Sequence, residues 1–344
     1  MHYRYLSFVL LLAAAFQPLT AQTDPAILAR LLSTYRPQPA AFSFAAIGDQ
    51  QYGPAGEAKW PALAQSINEA ASGLKFVVHA GDIKSGSTLC TDEMFANRLV
   101  SFNALQLPVI LTPGDNEWTD CHRENNGSYD PLERLAHERR MFYSTDESLG
   151  ARKIKVFRQS EDPRYGLYRE NAIWTEGNVV FATLHIIGSN NNLGRTPQQD
   201  VEYAARNIAN LNWLHTAFSL ARDGGFAGVV LTFQADPPFP RGIDGSVLKP
   251  DTGFLDFIYN LEVEAIVFNK PILVIHGDSH TFRVDKPMVS SRNSTVIENI
   301  YRLEVPGSSD SHWVRVSINP AKPVSLFSFE HEDVVANQVK QTLP

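Results

Sequence analysis

Short apolar segments alternate with amphipathic ones along the first third of the chain, and this alternation constrains the fold more than any other feature. Apolar runs occupy residues 41–47, 74–80 and 108–111. The stretches between them, 57–71 and 91–105, carry apolar residues at helical spacing. Short buried strands that alternate with helices predict a βαβ succession and a largely parallel sheet.

The rest of the chain predicts further elements and a change of sheet type. Helices are predicted over 25–35, 131–143, 198–222 and 253–269. Strands are predicted over 172–176, 179–187, 228–233, 272–276, 299–305, 312–318 and 324–329. The last three follow one another without helices, so we expect the chain to end in antiparallel sheet. The sequence contains no internal repeat or linker, which predicts a single domain over residues 22–344.

Polar turns follow the predicted buried strands, and four of these turns begin with a Gly-Asp pair. The aspartates are Asp49, Asp82, Asp115 and Asp278, and the first three are spaced by one strand–helix unit each. Glycine lets the backbone turn sharply, so the next carboxylate is expected to project over the sheet edge. In open α/β sheets this carboxyl edge is where ligands bind.

Several aspartates at one sheet edge would repel one another unless a cation compensated their charges. A pair of divalent cations would do so. The alternative is that each Gly-Asp pair is an ordinary turn closed by an Asx hydrogen bond.

The same segments resemble, in order, the conserved blocks of the calcineurin-like metallophosphoesterases. The segments are Asp49-Gln50-Gln51, Gly81-Asp82, Gly114-Asp115-Asn116-Glu117, Gln234 and Gly277-Asp278-Ser279-His280. The family has Asp-x-His, Gly-Asp, Gly-Asn-His-Asp/Glu, a lone His and Gly-His-x-His at these places. The resemblance extends over residues 42–329. It implies an α/β sandwich of two facing mixed β-sheets flanked by helices.

The resemblance also implies a set of metal ligands that differs from the usual one. It assigns one ion to Asp49, Gln51, Asp82 and His280, and a second ion to Asp82, Asp115, Gln234 and Asp278. Gln51, Gln234 and Asp278 stand where the family has histidines, and Asp115 stands where it has asparagine. Oxygen ligands favour Mg²⁺, Mn²⁺ or Ca²⁺ over Zn²⁺ or iron. We therefore expect a re-tuned metal site that binds two divalent ions.

The implied activity is hydrolysis of a phosphate ester, small or macromolecular, by a hydroxide activated by two metal ions. Asn116 stands where the family has the histidine that protonates the leaving group. His122 is a candidate replacement, the alternative being an ordinary surface histidine. His185 and the asparagine-rich loop after it could supply hydrogen-bond donors, and Arg195 could clamp the phosphate. The alternative for these two residues is a capped, solvated loop.

Two other functions fit parts of the sequence. The same fold could form a non-catalytic module that binds Ca²⁺ or Mg²⁺, because the acid at Asn116 is missing. Gly277-Asp278-Ser279 also spells the nucleophile block of GDS-type serine esterases. That block lies near the amino terminus in those enzymes, and the other Gly-Asp pairs would remain unexplained.

The amino-terminal segment predicts export. Arg4 precedes an apolar run over residues 6–16, which is followed by Pro18 and the small residues Thr20 and Ala21. This order is typical of a cleavable signal peptide over residues 1–21, since the apolar run is too short to span a bilayer. A retained membrane anchor is the alternative. We expect a secreted or periplasmic protein with no membrane span after cleavage.

Cysteine content and net charge add two expectations. Cys90 and Cys121 are the only cysteines, and in an oxidising compartment we expect them to form one disulfide, two unpaired thiols being the alternative. The net charge of −7 argues against a nucleic-acid partner.

Overall fold

The computed structural model of the protein describes residues 23–239 and 252–338; the predicted signal peptide at 1–21 lies outside the described residues. The strands are β1 Phe42–Ile47, β2 Val77–His79, β3 Val109–Leu111, β4 Phe157–Arg158, β5 Ala172–Glu176, β6 Val179–Thr183, β7 Gly228–Thr232, β8 Ile272–His276, β9 Arg283–Asp285, β10 Ile300–Glu304, β11 Trp313–Ile318 and β12 Phe327–Glu332. The helices are α1 Pro25–Thr34, α2 Gly53–Glu69, α3 Asp92–Asn103, α4 Pro131–Phe142, α5 Gly188–Asn191, α6 Pro197–Asp223 and α7 Leu255–Phe268.

The strands form two mixed sheets. The first has five strands in the order β12-β11-β1-β2-β3, and the second has seven in the order β4-β5-β6-β7-β8-β10-β9. Strands β1, β2 and β3 are parallel, as the alternating pattern of the first third predicted. Strands β6, β7 and β8 are parallel as well.

The inner faces of the two sheets pack against each other across one apolar core. Phe44 of β1 lies 5.5 Å, ring to ring, from Phe181 of β6, and Val230 and Ile275 join the same cluster. Helices cover the outer faces: α2 and α3 pack on the first sheet, and α6 and α7 on the second. The predicted α/β sandwich of two facing sheets flanked by helices is confirmed.

The prediction of antiparallel sheet for the tail holds for only one side of β10. This strand is antiparallel to β9 but parallel to β8, with Ile300 opposite Ile272, whereas β11 and β12 form an antiparallel pair in the first sheet. Ile300 packs towards the helices and Leu303 towards the facing sheet. A strand buried on both faces belongs inside a sheet, and the position beside β8 provides that burial.

Cys90 and Cys121 form a disulfide with their Cα atoms 5.8 Å apart, which confirms the predicted bond. It joins the loop after β2 to the 3₁₀ turn Thr119–His122 after β3. Across the two described ranges, no helix is both long and apolar enough to cross a membrane.

Candidate metal centre

Three predicted ligands meet where the two sheets open to the same edge. Oxygen atoms of Asp82, Asp115 and Asp278 all lie within 4.8 Å of one another. Asp82 and Asp115 follow β2 and β3 of the first sheet, whereas Asp278 follows β8 of the second. The cluster therefore lies between the two sheets, at the carboxyl ends of parallel strands, whereas the sequence predicted the edge of a single sheet.

Asp49 and His280 form the adjoining part of the cluster. His280 Nε2 lies 3.5 Å from Asp49 Oδ1, and the backbone N–H of Asp278 donates to the same oxygen over 3.1 Å. The Tyr52 hydroxyl donates to Asp82 Oδ2 over 2.7 Å and lies 3.3 Å from Asp49 Oδ1. Tyr52 thus contacts Asp82, which belongs to both predicted ligand sets, and Asp49, which belongs to one of them.

The two glutamines predicted as ligands are placed differently. Gln234 Oε1 accepts from the Gly188 backbone N–H over 2.6 Å, and its Nε2 donates to Asp278 Oδ1 over 3.1 Å. Gln51 is buried, and its Oε1 has no hydrogen-bond partner within the described residues. An unpaired buried oxygen is costly, and a cation is one group that would satisfy it.

The backbone is strained at five of the seven predicted ligands. Asp49, Gln51, Asp82, Asp278 and His280 have positive φ angles of 52°, 61°, 57°, 75° and 63°. Residues other than glycine rarely adopt this left-handed backbone conformation, and it persists only where the surrounding structure enforces it. Strain of this kind concentrates at functional sites.

Glycines allow the carboxylates to approach the neighbouring backbone. A methyl group on Gly277 would overlap the carboxylate of Asp49, and one on Gly114 would overlap that of Asp82. In these two Gly-Asp pairs the glycine thus makes room for a predicted ligand that follows another strand.

Burial and mutual repulsion disfavour ionisation of the clustered carboxylates. Burial, followed by the charges of Asp115 and Glu117, raises the pKa of Asp82 well above its usual range. Burial and the charge of Asp278 raise the pKa of Asp115 to about 7. Burial also raises the pKa of Asp49 and Asp278, and a hydrogen bond to Asp49 raises the pKa of His280. The positive charges that act on these carboxylates, from His280 on Asp49 and from the buried Lys84 on Asp82 and Asp115, therefore do not offset the effect of burial and mutual repulsion.

The chemistry of this donor set fits divalent cations. Within residues 23–239 and 252–338, no lysine or arginine forms an ion pair with Asp82, Asp115 or Asp278. Cations bound among these carboxylates would stabilise their ionised forms. Carboxylate and amide oxygens with a single imidazole suit hard ions such as Mg²⁺, Mn²⁺ or Ca²⁺.

Sequence reasoning missed two residues that organise the centre. Tyr52 was not singled out, although it directly follows Gln51. Glu117 is fully buried, and its Oε1 accepts the backbone N–H groups of Asp82 over 3.2 Å and Gly114 over 2.6 Å. In the sequence, the only indication of this role of Glu117 was its position directly after Asn116. Glu117 holds together the turns that carry Asp82 and Asp115.

The four predicted catalytic residues occupy different places. Asn116 belongs to the centre, because its Nδ2 donates to Asp82 Oδ2 over 2.7 Å and to the Tyr52 hydroxyl over 2.8 Å. His122 and Arg195 lie together beside the centre, since both contact the Thr119 carbonyl oxygen, at 2.6 and 2.8 Å.

His185, in contrast, is fully buried, and its Nδ1 lies 2.8 Å from Glu170 Oε1. Burial lowers its pKa to about 4. The structure does not bring His185 to the carboxylates, and its contacts join β6 to the segment before β5.

A second acidic group lies next to the centre but carries its own compensating charges. Atoms of Asp236, His276 and Glu304 lie within 4.8 Å of one another. Arg283 contacts both acids, at 3.2 Å from Asp236, and the Ser279 hydroxyl donates to Glu304. Ser279 is thus bound to a glutamate where a serine esterase would need a histidine partner.

No family model matches the chain, and no curated protein matches it in sequence. Solved structures are similar in fold. PhoD superposes on this protein with a TM-score of 0.53 and 14% sequence identity. The match covers 83% of this chain and 65% of the PhoD chain. Purple acid phosphatase PPD1 from yellow lupin (Lupinus luteus) superposes with a TM-score of 0.53 and 12% sequence identity. The match covers 89% of this chain and 53% of the phosphatase chain. Both are built on one sandwich architecture, so the chain has the calcineurin-like metallophosphoesterase fold.

Proposed function

We propose that this protein is an exported, metal-dependent phosphoesterase. The observation that carries the proposal is the group formed by Asp82, Asp115 and Asp278, which gathers within 4.8 Å without a basic side chain paired to it in the described part of the chain. The fold it shares with PhoD and purple acid phosphatase supports the same chemistry. The disulfide supports an oxidising compartment, as export through the predicted signal peptide would provide.

The proposed ligand sets share Asp82. One ion would be held by Asp49, Gln51, Asp82 and His280, and the other by Asp82, Asp115, Gln234 and Asp278. When bound, the ions would activate water and stabilise the charge that develops on the phosphoryl group. Of the remaining residues, Tyr52 and Glu117 would keep the carboxylates in place, each through the contacts described above.

The leaving group requires a proton donor other than Asn116. The Asn116 amide already donates to Asp82 and Tyr52, and an amide is not an acid near neutral pH. His122 is the candidate that we favour, because the residue is exposed on the turn after Asn116 and its Nδ1 contacts the Thr119 carbonyl. Its Nε2, when protonated, would be free to donate to the departing oxygen.

The decisive experiment compares metal content and turnover in matched variants. The purified protein is analysed for bound metal and assayed on aryl and alkyl phosphate mono- and diesters with Mg²⁺, Mn²⁺, Ca²⁺ or Zn²⁺ added back. We expect turnover with Mn²⁺ or Mg²⁺, and Asp82→Asn to lower it by at least about a hundredfold, since Asp82 would serve both ions.

Asp146→Asn is the matched control, because Asp146 is exposed and, among the described residues, its carboxylate pairs with Lys155 alone, at 3.7 Å. We expect this variant to behave like the wild type. Metal binding without turnover on any ester would instead establish the non-catalytic binding module. A protein that binds no divalent metal would contradict the proposal.

A further inference from the structure

The short element α5 and the residue after it form a left-handed turn beside the metal centre. The φ angles are 51°, 55°, 53° and 67° at Ser189, Asn190, Asn191 and Asn192. Residues other than glycine rarely adopt this backbone conformation even singly. Four of them in succession persist only where contacts from outside the turn enforce the conformation. The proposed function leaves this turn without a role.

The turn contacts three of the four ligands proposed for the second ion. The Ser189 hydroxyl donates to Asp115 Oδ2 over 2.5 Å. The Gly188 backbone N–H donates to Gln234 Oε1 over 2.6 Å. A methyl group on Gly188 would lie only 2.9 Å from Asp278 Oδ1 and 3.0 Å from Asp115 Oδ1, so the backbone of the turn packs directly against both carboxylates. The position of the turn therefore limits where these three ligands can place their oxygen atoms.

A fully buried arginine of α6 holds the turn from its other side. The guanidinium of Arg206 makes five hydrogen bonds. Two of them go to Asn191, from Nη1 to Oδ1 over 2.6 Å and from Nη2 to the backbone carbonyl over 2.9 Å. A third goes from Nη1 to the carbonyl of His185, just before the turn, over 2.7 Å. The other two go to Glu202, whose carboxylate balances the charge of the guanidinium.

The geometry of these contacts depends on a guanidinium. Its N–H groups point in fixed directions within one plane, so it sets both the position and the orientation of the groups that it bonds. A lysine ammonium is a compact charge on a flexible stem and would not reproduce the two bonds to Asn191. The Asn191 side chain continues the connection, because its Nδ2 donates to the Gly253 carbonyl, just before α7, over 3.0 Å. Arg206 thus fixes the turn through Asn191.

We propose that Arg206 is a positioning residue for the second metal ion. By holding the left-handed turn, it keeps Asp115, Gln234 and Asp278 at the separations that an ion requires. These three ligands belong to the second proposed set alone, so we expect the first ion to be unaffected by changes at Arg206. The inference rests on the proposed function, since it assigns a residue to one of the two ion sites of that centre.

Mn²⁺ binding to the purified metal-free protein tests the assignment. Calorimetric titration measures the number and affinity of the bound ions, and EPR spectroscopy detects magnetic coupling between two neighbouring Mn²⁺ ions. Two reference variants identify the sites, because Gln51→Gly removes a ligand proposed for the first ion and Gln234→Ala removes one proposed for the second. We expect Arg206→Lys to match Gln234→Ala, with about tenfold to a hundredfold weaker binding of one ion and unchanged binding of the other.

Two further variants separate positioning from stability. Ser189→Ala removes the contact with Asp115 without altering a buried charge, and we expect it to weaken the same ion. Arg158→Lys is the matched control, because Arg158 is also buried and also bonds backbone carbonyls, those of Thr145, Glu147 and Arg169, none of which is a proposed ligand. We expect both lysine variants to lower the Tm of the metal-free protein, and Arg206→Lys alone to weaken metal binding.

The outcomes distinguish the inference from the proposed function. Equal weakening of both ions in Arg206→Lys, the same weakening in Arg158→Lys, or unchanged binding in Ser189→Ala would overturn the role of Arg206. If Arg206→Lys does not fold, Ser189→Ala decides. A wild type that binds no divalent metal would reject the proposed function together with this inference. Two bound ions without turnover on any ester, and selective weakening in Arg206→Lys, would support the positioning role while rejecting the phosphoesterase.

Discussion

At the scale of single residues, the centre is built from side chains on strained backbone. Left-handed conformations of residues other than glycine cost about 1–3 kcal/mol each, and five predicted ligands adopt them. Folding alone would favour glycine at these positions. The structure keeps carboxylate, amide and imidazole groups there instead, as the proposed metal ligation would require.

Gln51 offers a direct test of this exchange between stability and function. Gln51→Gly removes both a left-handed side chain and an unpaired buried amide, so we expect metal-free protein to gain about 1 kcal/mol in the free energy of unfolding. Metal affinity should fall, because one proposed ligand is lost. Denaturant unfolding and metal titration measure the two effects.

Ser309→Gly serves as the control for this variant, since Ser309 also has positive φ, at 75°, but is exposed and is not a proposed ligand. It should change stability in the same direction without changing metal affinity. Unaltered metal affinity in Gln51→Gly would remove Gln51 from the ligand set.

The sequence identified the carboxylates but not the groups that hold them. Asp49, Asp82, Asp115 and Asp278 were predictable because each follows a glycine at the end of a strand. Parallel pairing places the first three at one edge, but that Asp278 would join them from the other sheet could not be deduced from local sequence. Tyr52 carried no such mark, because its contact with Asp82 depends on how α2 begins. His185 was misleading for the opposite reason: it follows a strand, yet its ring turns into the interior towards Glu170.

At the scale of elements, local sequence patterns predicted most helices and strands. They predicted less well which strands are neighbours in a sheet. The helix predicted over 198–222 is α6, Pro197–Asp223, whose start is set by Thr196 as its N-cap. The helix predicted over 57–71 begins earlier, at Gly53, because Pro54 is well tolerated in a first turn. The parallel pairing of β10 with β8 was not predictable, since local sequence does not encode which buried edge a strand joins.

The disulfide couples two elements that carry proposed ligands. Cys90 and Cys121 join the loops after β2 and β3, and the sulfur atoms lie within 3.9 Å of the Asn116 carbonyl oxygen. We expect the double variant Cys90→Ser/Cys121→Ser to lose about 3 kcal/mol in the free energy of unfolding. Metal affinity should fall as well, because the turn that carries Asn116 and Asp115 loses its support.

Urea unfolding and metal titration of the oxidised wild type and the double variant provide the measurement. A comparison of the wild type before and after reduction in urea gives a second estimate that involves no substitution. If both forms bind metal equally well, the disulfide contributes to stability alone.

At the scale of the whole molecule, the buried carboxylates link stability to pH. Asp115 has a folded pKa of about 7, raised mainly by burial, against about 4 in an unfolded chain. The folded state therefore binds more protons between these values, and stability falls as pH rises from about 4 to about 7. The loss attributable to Asp115 is about 4 kcal/mol across this window, and stability is fully retained below it.

Thermal unfolding of EDTA-treated protein across this pH range tests the linkage. Buried histidines such as His185, with lowered pKa values, change stability in the opposite direction, so the test compares the wild type with Asp115→Asn. We expect the Tm of the wild type to fall relative to that of Asp115→Asn as pH rises from about 4 to about 7, and saturating Mn²⁺ or Mg²⁺ to reverse this relative fall. An equal change of Tm with pH in the two proteins without metal would contradict the raised pKa of Asp115.

The pairing of β1 with β11 has a consequence for when the centre can assemble. β1 supplies Asp49, yet its antiparallel neighbour ends at Ile318, near the end of the described chain. Asp278 and His280 also come late. A growing chain would thus hold the first three aspartates long before it could complete the sheet that fixes them. Ions would be captured only once this late segment has folded, so the metal supply of the compartment in which folding finishes would decide which ions the protein carries.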